Sequence, residues 1–164
     1  MKVTFRRVSA KDLRRLNSFV NDGETARFLN LIPPVPMKST RALYGEARKR
    51  KLLWYCIVVD GVVAGSVTLK MGRKDSKQAH VAEFGICIAR EFQGRGLGRR
   101  AIKFILREAR RRGFSRVDFE VVADNVRARK LYEKCKFKVE GRKKNSFKIN
   151  GRFHDTIVMA RLFR

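Results

Sequence analysis

Residues 83–99 read EFGICIAREFQGRGLGR and contain the strongest functional pattern of the chain. The pattern predicts an apolar strand, a turn with glycines at 94, 96 and 98, and a helix that begins near Leu97. Glycines present bare amide N–H groups in a tight turn, and the helix directs its positive dipole end to the same place. The arrangement therefore indicates an anion site, and a pyrophosphate fits it.

Two classes of nucleotide-binding protein share a strand, a glycine turn and a helix. The dinucleotide fingerprint G-x-G-x-x-G is not met, because the glycines stand at 94, 96 and 98. A P-loop with Gly-Lys followed by Ser or Thr does not occur either. The dinucleotide and nucleoside triphosphate interpretations are therefore less favoured.

The rest of the chain alternates strand-like and helix-like periodicity. Strands are predicted at 2–8, 53–59, 62–69, 80–88, 117–122, from 137 onward and at 153–162. Helices are predicted from about 10, from 39–40 to about 51, at 97–112 and at 125–134. This order indicates an α/β (α+β) fold with a mixed sheet of six or seven strands and about four helices. Since no linker or repeat interrupts it, we expect one domain over 1–164.

Turn and cap residues support these boundaries. Asp60-Gly61 between two apolar runs predicts a tight hairpin turn. Ser9 and Asp12 form a variant of the capping box, and Ser39 and Thr40 are expected to cap the second helix.

The composition is strongly basic. Forty Lys and Arg against fifteen Asp and Glu give a net charge of +25, which predicts salt-sensitive attraction to polyanions. No apolar run is long enough to span a bilayer, and the amino terminus does not resemble a signal peptide. The three cysteines are far apart, so we expect reduced thiols in a cytoplasmic protein.

Two motifs resemble those of one enzyme family. The spacing Gln93-x-x-Gly96-x-Gly98 resembles the acetyl-CoA pyrophosphate loop of the GNAT N-acetyltransferase superfamily. Residues 125–137, NVRARKLYEKCKF, resemble that family's N-x-x-A-x-x-L-Y-x-x-x-G-F, and the predicted order of elements resembles the whole GNAT fold. Lys136 stands where the family usually has Gly, and a non-glycine residue in a left-handed turn costs roughly 1 kcal/mol. We expect a slightly altered helix end rather than a lost site.

The resemblance implies acetyl-CoA as the acetyl donor. It implies that the main chain of residues 86–88 meets the pantetheine arm and that residues 94–99 cradle the pyrophosphate. For Asn125 the alternative is a role as a helix N-cap. For Arg95 and Arg99 the alternative is that they are ordinary surface residues without a contact to the cofactor. The cofactor-binding residues implied are Ile86, Cys87, Ile88, Gln93, Gly94, Arg95, Gly96, Leu97, Gly98, Arg99 and Asn125.

The resemblance also implies catalytic residues for direct attack of an amine on the thioester. Tyr132 is expected to donate a proton to the leaving thiolate, with a packed core aromatic as the alternative. The base that removes the amine proton is Glu83, Glu120 or water alone, and for either glutamate a surface ion pair is the alternative. The two histidines do not form a ligand cluster, so we expect no metal site. Cys87 lacks a visible activating base, so no covalent acyl intermediate is expected.

The acceptor and partners are less defined. Residues 145–162 resemble the branch with ribosomal-protein amino-terminal and polyamine acetyltransferases. The net positive charge repels a free polyamine unless Asp22, Glu24 and Glu46 form an acidic pocket, so an amine of a peptide or protein is favoured. The alternative function is a catalytically silent protein of this fold that binds RNA or ribosomes through its basic surface. A homodimer is left open.

Overall fold

The computed structural model describes residues 1–49 and 52–163. Seven strands form one mixed sheet in the order β1-β2-β3-β4-β5-β7-β6. Their bounds are β1 Val3–Arg7, β2 Leu52–Val59, β3 Val62–Met71, β4 Val81–Ile88, β5 Arg116–Val122, β6 Lys138–Ile149 and β7 Arg152–Leu162. The described residues form five α-helices, α1 Leu13–Asn21, α2 Gly23–Ala26, α3 Met37–Arg48, α4 Leu97–Arg111 and α5 Val126–Lys134. The predicted α/β class and the seven-stranded sheet are confirmed.

Both faces of the sheet are covered, and this explains the unbroken apolar run of β2. All eight residues of β2 are buried, which is typical of a strand with helices on both sides. Leu53, Tyr55 and Ile57 point into the larger core with α4 and α5. Leu52, Trp54 and Cys56 point into the second core with α1 and α3. The sheet therefore separates an α4–α5 side from an α1–α3 side.

Turn chemistry sets the strand register. Asp60 and Gly61 both have positive φ, 47° and 85°, as a two-residue hairpin turn requires, and β2 pairs with β3 antiparallel. Asn150 and Gly151, with φ of 49° and 79°, make the same kind of turn between β6 and β7. Lys136 has φ of 67°, so the left-handed position predicted for it is confirmed.

One helix start differs from expectation, and one short helix was not predicted. The helix α3 begins at Met37 directly after Pro36, so the prediction that Ser39 and Thr40 cap it was wrong. Thr40 is buried instead and accepts a hydrogen bond from Asn17 Nδ2 at 2.9 Å. The short helix α2 was not predicted, and the predicted end of α3 near Lys51 lies outside the described residues. Within residues 1–49 and 52–163, no helix has the length and apolar character needed to cross a membrane.

Candidate active site

A cleft of about 880 Å³ opens where β4 and β5 separate. The two strands pair in parallel only over Val81–Glu83 and Arg116–Asp118. On its other side β4 stays paired with β3 as far as Ile88. The remainder of β4 therefore has one edge that no strand of the described sheet occupies, and residues 83–88 line the cleft. A ligand with amide groups can pair with such an edge as an added strand does.

The glycine turn lies at the amino-terminal end of α4. Gly94 and Gly96 have φ of 79° and 75°, a region that L side chains rarely adopt. Both line the cleft, and apart from Gly96 itself and its two chain neighbours, no described residue has an atom within 4 Å of the position where a Cβ of Gly96 would stand. The fifteen-residue α4 directs its first amides and its dipole to this turn. The turn thus has the shape and charge that an anion needs.

Gly98 serves a different purpose. A Cβ at this position would stand 2.7 Å from Leu131 Cδ2, so the glycine allows α5 to approach α4 closely. Leu97 is 1% exposed, and its side chain belongs to the core, so only its main chain is available to a ligand. The glycine motif therefore combines an open turn with a tight helix contact.

The polar residues of the motif stabilise the turn. Gln93 Nε2 donates to the Ile88 carbonyl at 3.0 Å, and Arg127 Nη1 donates to Gln93 Oε1 at 3.4 Å. Asn125 Oδ1 accepts from the Ala128 amide at 3.2 Å and so caps α5, the alternative role that the sequence allowed. Arg99 lines the cleft, whereas Arg95 lies over the Phe92 ring and is not among the lining residues.

Tyr132 borders the cleft from α5 and is 9% exposed. Its ring packs in an aromatic cluster, with centroid distances of 4.4 Å to Phe119 and 5.7 Å to Phe84. Burial raises the pKa of its phenol to about 12. A phenol with this pKa stays protonated at neutral pH and can donate its proton. The packed-aromatic alternative and the proton-donor role therefore fit the same position.

The two candidate bases line the cleft from adjacent strands. Glu120 is held by the ammonium of Lys143 and by the Thr156 hydroxyl, which donates at 2.8 Å. The hydrogen bond from Lys143 and then that from Thr156 lower the pKa of Glu120 against the effect of burial. Glu83 is exposed and has no ion pair with another described residue. The structure therefore holds one carboxylate rigidly and leaves the other unpaired.

Several cleft residues were not predicted. The segment 24–30, which overlaps α2, supplies Phe28 and Asn30, and no local motif marked them. Asp124 also lines the cleft, and its Oδ2 lies 2.6 Å from His154 Nδ1. This pair joins residues thirty positions apart, so only the pairing of β5 with β7 brings them together. Of the three residues expected to form an acidic pocket, only Glu24 lines the cleft.

Cys87 lines the cleft, but its thiol is poorly suited to attack. Burial raises the pKa of Cys87 to about 12, with Asp22 adding to the effect. A thiol with this pKa is almost entirely protonated at neutral pH, and the thiolate is the nucleophile. The arrangement favours direct transfer over an acyl-cysteine intermediate.

Comparison with known proteins identifies the family. The model of the acetyltransferase (GNAT) family matches residues 19–137. The chain belongs to the GNAT family. This membership confirms the resemblance seen in the two motifs, the enzyme class of acetyl-CoA-dependent N-acetyltransferases and acetyl-CoA as the donor.

Individual GNAT relatives cover much of the chain. Spermidine N(1)-acetyltransferase of Escherichia coli K12 is 30% identical over 167 residues, which span 96% of this chain and 84% of that enzyme. L-amino acid N-acetyltransferase AaaT of the same organism is 30% identical over 105 residues, which span 63% of this chain and 64% of that enzyme. The crystal structure of spermidine N-acetyltransferase from Vibrio cholerae, in complex with CoA and spermine, has a TM-score of 0.87 and 26% identity, covering 98% of this chain and 95% of that one.

The residues of this GNAT chain fit acetyl-CoA in two respects. The open turn at Gly94 and Gly96 suits the pyrophosphate, since a Cβ at either would impose strain at positive φ. The unpaired edge of β4 suits the amides of the pantetheine arm. In the part of the chain that the structure describes, no three His, Cys, Asp or Glu residues are grouped so that they could hold a metal ion.

Proposed function

We propose that the protein transfers the acetyl group of acetyl-CoA to a primary amine of a peptide or protein by direct attack. The observation that carries the proposal is a cleft lined both by the open glycine turn and by four carboxylates. Acetyl-CoA, when bound, supplies an acetyl thioester. Residues 86–88, the turn at 94–99 and Asn125 hold it there.

Glu120 is assigned as the base in this proposal. A protonated amine cannot attack, so its proton must leave before or during attack. The lowered pKa of Glu120 keeps the carboxylate ionised throughout the neutral range, and Thr156 and Lys143 fix its orientation. Glu83, unpaired on the same side of the sheet, attracts the ammonium form of the acceptor. If neither glutamate is needed, water carries the proton.

Tyr132 is assigned as the acid. The Tyr132 phenol would donate its proton to the sulfur of the leaving thiolate and so stabilise the negative charge there. Because burial keeps the pKa of Tyr132 near 12, the proton is present at the start of each turnover. Cys87 remains a thiol, which is consistent with attack by the amine itself.

The charges of the cleft favour a peptide or protein amine. Of the four carboxylates that line it, Glu120 forms an ion pair with Lys143, and Asp124 shares a hydrogen bond with His154. The side chains of the other two, Glu24 and Glu83, have neither an ion pair nor a hydrogen bond with another described residue. A polyamine carries several ammonium groups and meets a chain of net charge +25, so it needs more free carboxylates than these.

A polyamine acceptor is the second candidate, since two relatives at 30% identity are spermidine N(1)-acetyltransferases. The deciding experiment measures thiol release from acetyl-CoA with three acceptors: peptides copying ribosomal-protein amino termini, lysine-containing peptides, and spermidine. We expect a higher kcat/KM for a peptide than for spermidine. Turnover of spermidine alone contradicts the peptide assignment.

The variant Tyr132→Phe tests the acid role of Tyr132 in the same assay. We expect kcat to fall about 100-fold, because removal of a general acid costs that order of rate. Calorimetric titration should give nearly unchanged affinity for acetyl-CoA, since the ring that packs on Phe119 is retained. Unchanged turnover in this variant removes the acid role from Tyr132.

The homodimer and the cytoplasmic location stay predictions.

A further inference from the structure

A second groove, of about 510 Å³, lies between α4, β1 and the end of β7. It shares no lining residue with the active-site cleft. No Asp or Glu is among the described residues that line it. Its cations are Arg100, Lys103, Arg107, Arg110 and Arg161.

Helix geometry places four of these cations in one row. Positions 100, 103, 107 and 110 follow the i, i+3, i+7 spacing that brings side chains to a single face of α4. The row extends about 15 Å, since a helix rises about 1.5 Å per residue. Arg161 from β7 also lines the groove, and its guanidinium donates to the Cys135 carbonyl at 2.6 Å.

For three of these cations, the described residues provide no carboxylate partner. Arg100, Lys103 and Arg107 form no ion pair with another described residue, and all three are exposed. Elsewhere the scarce carboxylates are used in pairs, as in Arg6–Asp12 and Arg142–Asp155. A concave surface with several unpaired cations therefore attracts an anionic ligand.

The floor of the groove is apolar and aromatic. Phe5 and Phe163 are half-buried there, and Leu106 is buried. Phe5 is held in place by stacking on Phe104, with a centroid distance of 4.3 Å and an interplanar angle of 6°. Arg161 lies over the Phe163 ring at 5.9 Å. A ligand that fits both the cations and this floor combines negative charge with flat apolar groups.

We propose that this groove binds single-stranded nucleic acid, with the α4 cations on phosphates and the aromatic floor against bases. Sequence-tolerant proteins of this kind combine a positive groove with aromatic stacking. An anionic membrane fits less well, because the apolar side chains of α4, such as Ile102 and Ile105, are buried in the core and are not free to insert. RNA and DNA share this chemistry, and the test separates them.

The test measures fluorescence anisotropy of labelled oligouridylate and oligothymidylate at rising salt. The variant Lys103→Gln/Arg107→Gln removes two groove cations. The control Lys38→Gln/Arg41→Gln removes one Lys and one Arg from exposed positions of α3, on the opposite side of the sheet. The salt slope is the change in the logarithm of the binding constant with the logarithm of the salt concentration. On single strands each phosphate contact contributes about 0.7 to the magnitude of this slope. The slope of the groove variant, which loses two contacts, should therefore be smaller in magnitude by about 1.4.

The expected result is weakened binding in the groove variant alone, with acetyl-CoA affinity unchanged in both variants by calorimetry. Tighter binding of oligouridylate than of oligothymidylate identifies RNA as the ligand, and the reverse identifies DNA. An equal loss in both variants overturns the proposal, because net charge then explains the binding. Groove-dependent binding to phosphatidylserine vesicles without binding to either oligonucleotide overturns it as well. None of these outcomes depends on turnover, so failure here is distinct from failure of the proposed acetyl transfer.

Discussion

Tyr132 and Glu120 border the same cleft but have opposite kinds of neighbours. Aromatic rings surround the phenol, and burial keeps its pKa near 12. Lys143 and Thr156 surround the carboxylate and hold its pKa below the ordinary value. Environments that move two pKa values apart assign one group to donate and the other to accept a proton. The proposed division of roles thus rests on packing around Tyr132 and on ion pairing at Glu120.

Removal of Lys143 tests the role of Glu120. In Lys143→Ala the largest cause of the lowered pKa is absent, so the pKa of Glu120 rises towards the ordinary value. The catalytic form is the carboxylate, which exists above its pKa. We therefore expect the acidic limb of the kcat/KM profile against pH to move to higher pH.

Lys138→Ala is the matched control for that measurement. Lys138 is also exposed on β6, but it has no hydrogen bond to Glu120. Its profile should overlay that of the wild-type enzyme. If the acidic limb stays in place in Lys143→Ala, Glu120 is not the group that titrates, and Glu83→Gln becomes the next variant to measure.

At the scale of elements, the end of α5 contains a strained residue. Lys136 has φ of 67° directly after the helix, where a Cβ is unfavourable. Lys136→Gly should stabilise the protein by about 0.5–1 kcal/mol, after allowance for the greater freedom of glycine in the unfolded chain. Urea unfolding measures the gain. Lys134→Gly, inside the last turn of α5, should instead lose about 1 kcal/mol; a loss in both variants contradicts the strain at Lys136.

Elements with a local cause were predictable from the sequence. Asp60-Gly61 and the turn at 94–98 adopt the expected backbone, because positive φ is a property of the residues themselves. The start of α3 was missed because Thr40 bonds to Asn17, twenty-three positions away, instead of capping. For the same reason Thr156 and His154 were not expected at the site, since only strand pairing brings them to β5.

At the scale of the whole molecule, charge is distributed unevenly. The chain carries +25, yet four carboxylates line the cleft, and the side chains of two of them, Glu24 and Glu83, have no ion pair or hydrogen bond within the described residues. Attraction by the net charge acts at long range and is screened beyond about 10 Å at 0.1 M salt, whereas the cleft carboxylates act at contact. The net positive charge therefore attracts anionic acetyl-CoA at long range and repels a cationic acceptor. The cleft carboxylates attract that acceptor only at short range.

This distribution predicts opposite salt effects for the two substrates. Acetyl-CoA is anionic, so its association is accelerated by the net charge, and its kcat/KM should fall as salt rises. A cationic peptide is repelled at long range, so its kcat/KM, measured at saturating acetyl-CoA, should rise over the same salt range. A peptide that keeps its acceptor amine but has serine in place of every other lysine carries less positive charge and should respond less. If both constants fall in parallel, local cleft charge governs the acceptor, and Glu24→Gln and Glu83→Gln should then remove its salt dependence.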